Sequence, residues 1–182
     1  MTNEAERGPV EHWEIPDGTV LTLRPIGPQD ADLEQAFVRG LSAESRYCRF
    51  MAELNELSPE MLKYFTNPDP EREVALIVTT PAGAREEEVA VGRYSINPDN
   101  QSCEFAIVVA DAWQARGIAT RLMRALMKHA AGRGLKRMEG FVLASNYKML
   151  DFMRFLGFDI RSSAKGPQIR IASRRLDDMA TV

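Results

Sequence analysis

The chain has 182 residues, 45% of them apolar, enough for one sizeable core and a single domain. Its 23 Lys and Arg against 26 Asp and Glu leave a formal net charge of −3, which argues against nucleic-acid binding driven by bulk charge. Two cysteines, Cys48 and Cys103, and two histidines, His12 and His129, offer no disulfide framework, no expected metal site and little support for a Ser-His-Asp or Cys-His enzyme.

Residues 1–17 read as a loose N-terminal tail, polar and acidic, without signal-peptide character. No apolar run approaches the roughly 20 residues that a membrane helix needs, so a soluble, cytoplasmic protein without membrane contact is expected. "TVLTLRP" alternates like a strand and stops at Pro25. Three helices follow: "PQDADLEQAFVRGL", "SAESRYCRF" with Ser42 at its N-cap, and "SPEMLKYF" with Ser58 at the N-cap and Pro59 behind it. The pattern then switches to "EVALIVTT", "EVAVGRYSI" and "QSCEFAIVVA", with "PAGAREE" and "NPDN" as turns, which predicts an antiparallel meander over residues 73–110. A helix over about 117–131 comes next, with Ile118, Leu122, Ala125, Leu126 and Ala130 on one stripe. "KRMEGFVLA" is a strand, "NYKMLDFMRFLGF" a helix capped by Asn146 and stopped by Gly157, and "FDIRSS" and "PQIRIAS" are final strands. The whole is an α+β chain with one mixed sheet.

Three features carry chemistry. "QARGIAT" joins the most apolar strand to a helix, where unpaired N–H groups and the helix dipole favour an anion. Gly117 and Ala119 are small, and no acidic side chain lies between Gln114 and Thr120. On spacing alone, a tight connection and a phosphate loop remain equally compatible with it. In "CEFAIVV", Cys103, Phe105, Ile107 and Val109 share one face and Glu104, Ala106 and Val108 the other. A carboxylate there either opens to a cleft, where burial would raise its pKa toward that of a general base, or sits at the strand's wet start beside an arginine. Asn146 alone reads as a helix cap.

Together, Gln114, Gly117 and Ala119, the preceding strand, and the helix from Asn146 to Gly157-Phe158 resemble the GNAT superfamily of acyl-CoA-dependent N-acyltransferases over about residues 20–172. "LTLRPIGPQD", "LSAESRYCRF" and "NPDNQSCEFAIVV" further resemble the GNAT domain of bacterial protein-lysine acetyltransferases. The resemblance implies a GNAT-type three-layer α+β fold with a mixed, largely antiparallel sheet flanked by helices. The single domain is expected to span residues 18–174, with 175–182 a C-terminal tail. It implies acetyl-CoA as co-substrate, no metal, and a primary amine as acceptor, a protein lysine first. The alternatives are a small-molecule amine (polyamine, amino acid or antibiotic) or a non-catalytic acyl-CoA sensor. Freed backbone groups of Ile107, Val108 and Val109, released at a bulge, would meet the pantetheine arm and thioester. Amides of Ala115, Arg116, Gly117, Ile118, Ala119 and Thr120 would hold the pyrophosphate beside Gln114. Arg121 or Arg154 would reach the adenosine phosphate, and Asn146 and Phe152 the pantetheine. Glu104 would be the general base. Family members often carry a tyrosine, as acid, where Met153 stands. Tyr147 lies almost two helical turns from that position. The acceptor side would be built from the early helices and final strands, with Glu44 and Glu53 as acidic candidates.

Overall fold

A computed structural model describes residues 8–177; of the expected tails at 1–17 and 175–182, residues 1–7 and 178–182 lie outside the described residues, whereas Arg175 ends the last strand and Leu176 is buried. Among the described residues an eight-stranded sheet runs in the order β1-β2-β3-β4-β5-β6-β8-β7. Its strands are β1 (Glu11–Glu14), β2 (Val20–Pro25), β3 (Glu73–Ala82), β4 (Arg85–Ile96), β5 (Ser102–Val109), β6 (Arg137–Leu143), β7 (Asp159–Ser163) and β8 (Gly166–Arg175). All neighbours pair antiparallel except β5 and β6, which are parallel. The helices are α1 (Ala31–Gly40), α2 (Ala43–Phe50), α3 (Pro59–Thr66), α4 (Ile118–Gly132) and α5 (Tyr147–Phe155).

Each predicted helix forms, and the capping residues explain where. Ser42, Ser58 and Asn146 each accept a hydrogen bond from the N–H three residues on, satisfying a donor that the first turn leaves free. The alternation of β5 sorts the two cores. Cys103, Phe105, Ile107 and Val109 join the cluster under α4 and α5, whereas Val108 joins Phe37, Val38 and Leu41 beneath α1–α3. The result is helix, sheet, helix: the three-layer α+β arrangement that the sequence implies.

Two local expectations change. The stretch read as a loose tail contains β1, joined to β2 by a tight turn at Pro16-Asp17-Gly18, where Gly18 takes φ 84. Ile15 is buried at this turn and Trp13 packs on the core, so the hairpin has apolar surface to bury. The "PAGAREE" segment is mostly strand: Ala82 pairs with Arg85, and Gly83 at φ 64 turns the chain with one partner, Ala84.

Candidate active site

The site begins where two strands part. β5 and β6 pair only at Ser102 with Arg137, Cys103 with Met138 and Glu104 with Glu139. Beyond Glu104, β5 stays in register with β4 as far as Val109, while β6 turns to β8. The Phe105 ring fills the wedge. It meets the Phe158 ring edge-on, with centroids 5.4 Å apart, and a Cβ on Gly140 would lie 2.5 Å from it. Gly140 therefore lets the diverging strand pass close over an aromatic ring.

This divergence exposes main-chain groups without any bulge in β5. The register irregularities of the sheet lie instead between β3 and β4, at Val78/Thr79, and between β7 and β8, at Ser162/Ser163. In an antiparallel ladder the N–H and C=O of one residue point to the same side, and successive residues alternate. Ala110 N–H bonds Val89 C=O on β4, so the groups of Val108 also point to β4 and those of Ile107 and Val109 point to the open side. Of the three residues expected to offer freed groups, Val108 is thus paired. The Gln114 side chain donates to Val109 C=O at 3.2 Å and pins the strand end.

A cleft of about 870 Å³ opens on this gap. Its wall includes Glu104, Ile107, Val108 and Val109 of β5, Gln114, Ala115, Gly117, Ile118, Ala119 and Thr120 of the loop, and Asn146 and Phe152 of α5. The loop conformation suits an anion. Ala115 and Gly117 take φ 59 and 79, and alternating left-handed residues curl a backbone so that its N–H groups converge. Among the described residues, the N–H groups from Ala115 to Thr120 make no backbone hydrogen bond; the first to do so is Arg121, to Gly117 C=O. No acidic residue occupies the first turn of α4, so the positive end of its dipole is unopposed.

The arginines behave differently from expectation. Arg121 pairs with Glu11 at 2.9 Å and lies 4.5 Å over the Trp13 ring, and Arg116 pairs with Asp17 at 2.8 Å beside Trp113. Arg154 pairs with Asp151. None of these three side chains is on the cleft wall. Folding of the β1–β2 hairpin supplies the carboxylates that hold the first two.

Glu104 is exposed to the cleft and is neither buried nor paired with an arginine among the described residues. Of the two alternatives left open for this carboxylate, it opens to the cleft, but exposed rather than buried, and without an arginine beside it. Asn146 caps α5 through Oδ1, which accepts from Met149 N–H at 3.1 Å, and still lines the cleft. Met153 is fully buried and Tyr147 is exposed off the wall, so neither stands as a proton donor in the cleft. Burial pushes the Cys103 thiol up to about 12, and its Sγ faces Arg137 C=O at 3.7 Å, an inert arrangement. His129 is a packing residue bonded through Nδ1 to the Tyr94 hydroxyl at 2.7 Å.

The opposite wall comes from α2, with Glu44, Ser45, Cys48 and Arg49, and from Phe141 and Lys165 near the β7–β8 turn. Glu53 is not on it. Asp111, which sequence reasoning missed, fastens this wall. It accepts from Ser42 N–H at 3.0 Å and from the Ser42 and Ser45 hydroxyls at 2.8 Å. Burial works to raise its pKa, but these hydrogen bonds outweigh that and hold it below the usual value. An Asp two residues past a strand end gave no signal of its own.

Comparisons with known proteins agree with this geometry. The pattern of the Acetyltransferase (GNAT) family matches residues 41–158. The chain is 31% identical over 150 residues to Acetyltransferase PA5475 of Pseudomonas aeruginosa, covering 81% of each. It is 29% identical over 145 residues to Acetyltransferase Pat of Mycolicibacterium smegmatis, spanning 79% of this chain but only 43% of that protein. Among solved structures, the GNAT domain of S. lividans PAT superposes with a TM-score of 0.81 at 28% identity, covering 91% of this chain and 96% of that one. The chain belongs to the GNAT family of acetyltransferases.

Proposed function

We propose that the chain transfers the acetyl group of acetyl-CoA directly to a primary amine, with a protein lysine as the favoured acceptor and Glu104 as the general base. The observation that carries the base assignment is the position of Glu104. It is the last residue of β5 paired to β6, on the sheet face that α2 overlies, immediately before the strand edge becomes free. The curled loop from Ala115 to Thr120 fits the coenzyme's pyrophosphate, since it offers convergent amides and no competing carboxylate. The open groups of Ile107 and the N–H of Val109 fit the amide-bearing pantetheine arm, which binds like an added strand, with Asn146 and Phe152 on the far side.

Residue roles follow from that placement. An ammonium acceptor must lose a proton before its nitrogen can attack, and Glu104 takes that proton directly or through water. The Val109 N–H faces the thioester carbonyl and stabilises the charge that develops on its oxygen. The C–S bond breaks as the C–N bond forms, and the thiolate leaves unaided, because Met153 has no proton to give. The protein-lysine preference draws on the likeness to the GNAT domain of S. lividans PAT. Glu104→Gln is expected to lower kcat by about 10²–10⁴-fold while leaving the Kd for acetyl-CoA unchanged. Retention of full kcat would remove Glu104 from the chemistry. Labelled acetyl-CoA added to a cell lysate tests the acceptor: label confined to small molecules would sink the protein-lysine assignment.

A further inference from the structure

The acceptor half of the cleft holds a cation that no carboxylate neutralises directly. Arg49, in the last turn of α2, lines the wall. Its guanidinium lies 4.9 Å from the Phe50 ring centroid and 5.8 Å from that of Phe65. Its Nε is buried without a hydrogen-bond partner, and among the described residues its nearest acidic influence, Glu34, acts only through space. Burial, and then the nearby Arg93, push Arg49 down to about 10, which still leaves it charged at neutral pH. Arg93 spends Nη2 on Phe65 C=O at 2.6 Å, while its Nη1 is buried without a partner.

The carboxyls behind them make no direct bond to either guanidinium. Glu34 and Glu88 are both buried, and desolvation pushes both upward, Glu88 further because Glu34 adds its own charge. Glu34 acts on both arginines, and Glu73 on Arg93, through space, and among the described residues no carboxylate hydrogen-bonds either guanidinium. Of the other ionisable groups on the wall, Lys148 stands in the first turn of α5, beside Asn146 rather than on α2. Asp111 serves Ser42 and Ser45, and Lys165 Nζ rests 3.5 Å over the Phe141 ring. Glu44 and Glu104 remain to meet an ammonium. A bare planar guanidinium across from acids matches a molecule that carries both signs of charge, because its fork accepts a carboxylate bidentately.

We propose that Arg49 is a specificity residue that pairs with a carboxylate close to the amine being acetylated. The inference rests on the N-acetyltransferase reading and narrows its acceptor class. The carboxylate belongs either to an acidic side chain beside a target lysine or to a free amino acid.

The test compares two acceptor peptides, identical except that the lysine is flanked by Glu in one and Gln in the other, together with free glutamate and glutamine. The full chain is assayed as wild type, Arg49→Lys and Arg49→Met. The wild type is expected to favour the Glu peptide by about tenfold in kcat/KM, mostly through KM. Arg49→Met is expected to bring that ratio toward one, and Arg49→Lys to keep part of it. Greater Arg49-dependent use of glutamate than of either peptide identifies a free amino acid as the source. Equal use of all four by the wild type, or an equal loss on all four in Arg49→Met, overturns the role of Arg49. Because the wild-type comparison needs no variant, a folding failure of Arg49→Met does not protect the proposal. If the wild type acetylates no peptide and no amino acid, the proposed function falls and takes this inference with it.

Discussion

Glu88 is an acid placed where only its neutral form is comfortable. It sits on β4 beside the register shift with β3, with both carboxyl oxygens buried, and Glu34 of α1 is the hydrogen-bonding partner its proton can reach. Its folded pKa lies above the ordinary value of 4.5, so between the two values the folded state holds a proton that the unfolded state has lost. The sign is fixed: this group's contribution to stability is full below the unfolded pKa and declines as pH rises toward the folded one. Glu88→Gln keeps the shape and removes the titration. The variant is expected to match wild type below the ordinary glutamate value of 4.5 and to lose less stability than wild type as pH rises above it, read by thermal melts across the range. A parallel decline in both proteins would show that Glu88 does not hold its proton. Neither acid drew attention in the sequence, where Glu34 falls inside the helical stretch "PQDADLEQAFVRGL" and Glu88 opens the strand "EVAVGRYSI". Tertiary packing buried both.

At the scale of the element, the loop before α4 joins two separable requirements at Gly117. One is conformational. At φ 79 a side chain is strained, although a Cβ there would meet nothing within 4 Å. Gly117→Ala should therefore cost about 1 kcal/mol of stability through backbone strain alone. The other is electrostatic. Gly117→Glu adds a negative charge among the amides proposed to hold phosphate, so its Kd for coenzyme A should rise at least about tenfold beyond that of Gly117→Ala. Calorimetric titration of both variants checks this, and equal affinities would take the loop out of the site. Most of this element was legible in the chain: the capping residues Ser42, Ser58 and Asn146 all do what their positions suggest, and the alternation of β5 divides the two cores as read. The side chains of Arg116 and Arg121 lie off the cleft wall for one physical reason. Glu11 and Asp17 lie in a segment whose charges masked a hairpin, and "PDG" was its one local signal. Once that hairpin forms, both arginines have partners and are held away from the cleft.

At the scale of the whole molecule, the parallel seam between β5 and β6 is the narrowest join in the sheet. Three residue pairs and a bond from Lys136 N–H to Gln101 C=O carry the pairing across it, and Phe105 against Phe158 adds a single aromatic contact beneath the wedge. The parting of the strands, so far a source of free main-chain groups, also makes the sheet two plates, β1–β5 and β6–β8, on a short hinge line. Local opening is easiest where few hydrogen bonds must break together. A ligand that lies along β5 and touches Asn146 at the start of α5 would bind both plates and act as a clasp. Hydrogen–deuterium exchange should then show saturating acetyl-CoA slowing the amides of Ile107 and Val109, which it would cover, and also those of Arg137–Glu139, which it would not touch. Protection confined to the covered amides would mean that the plates already move as one body and that the enzyme needs no substrate to close its own sheet.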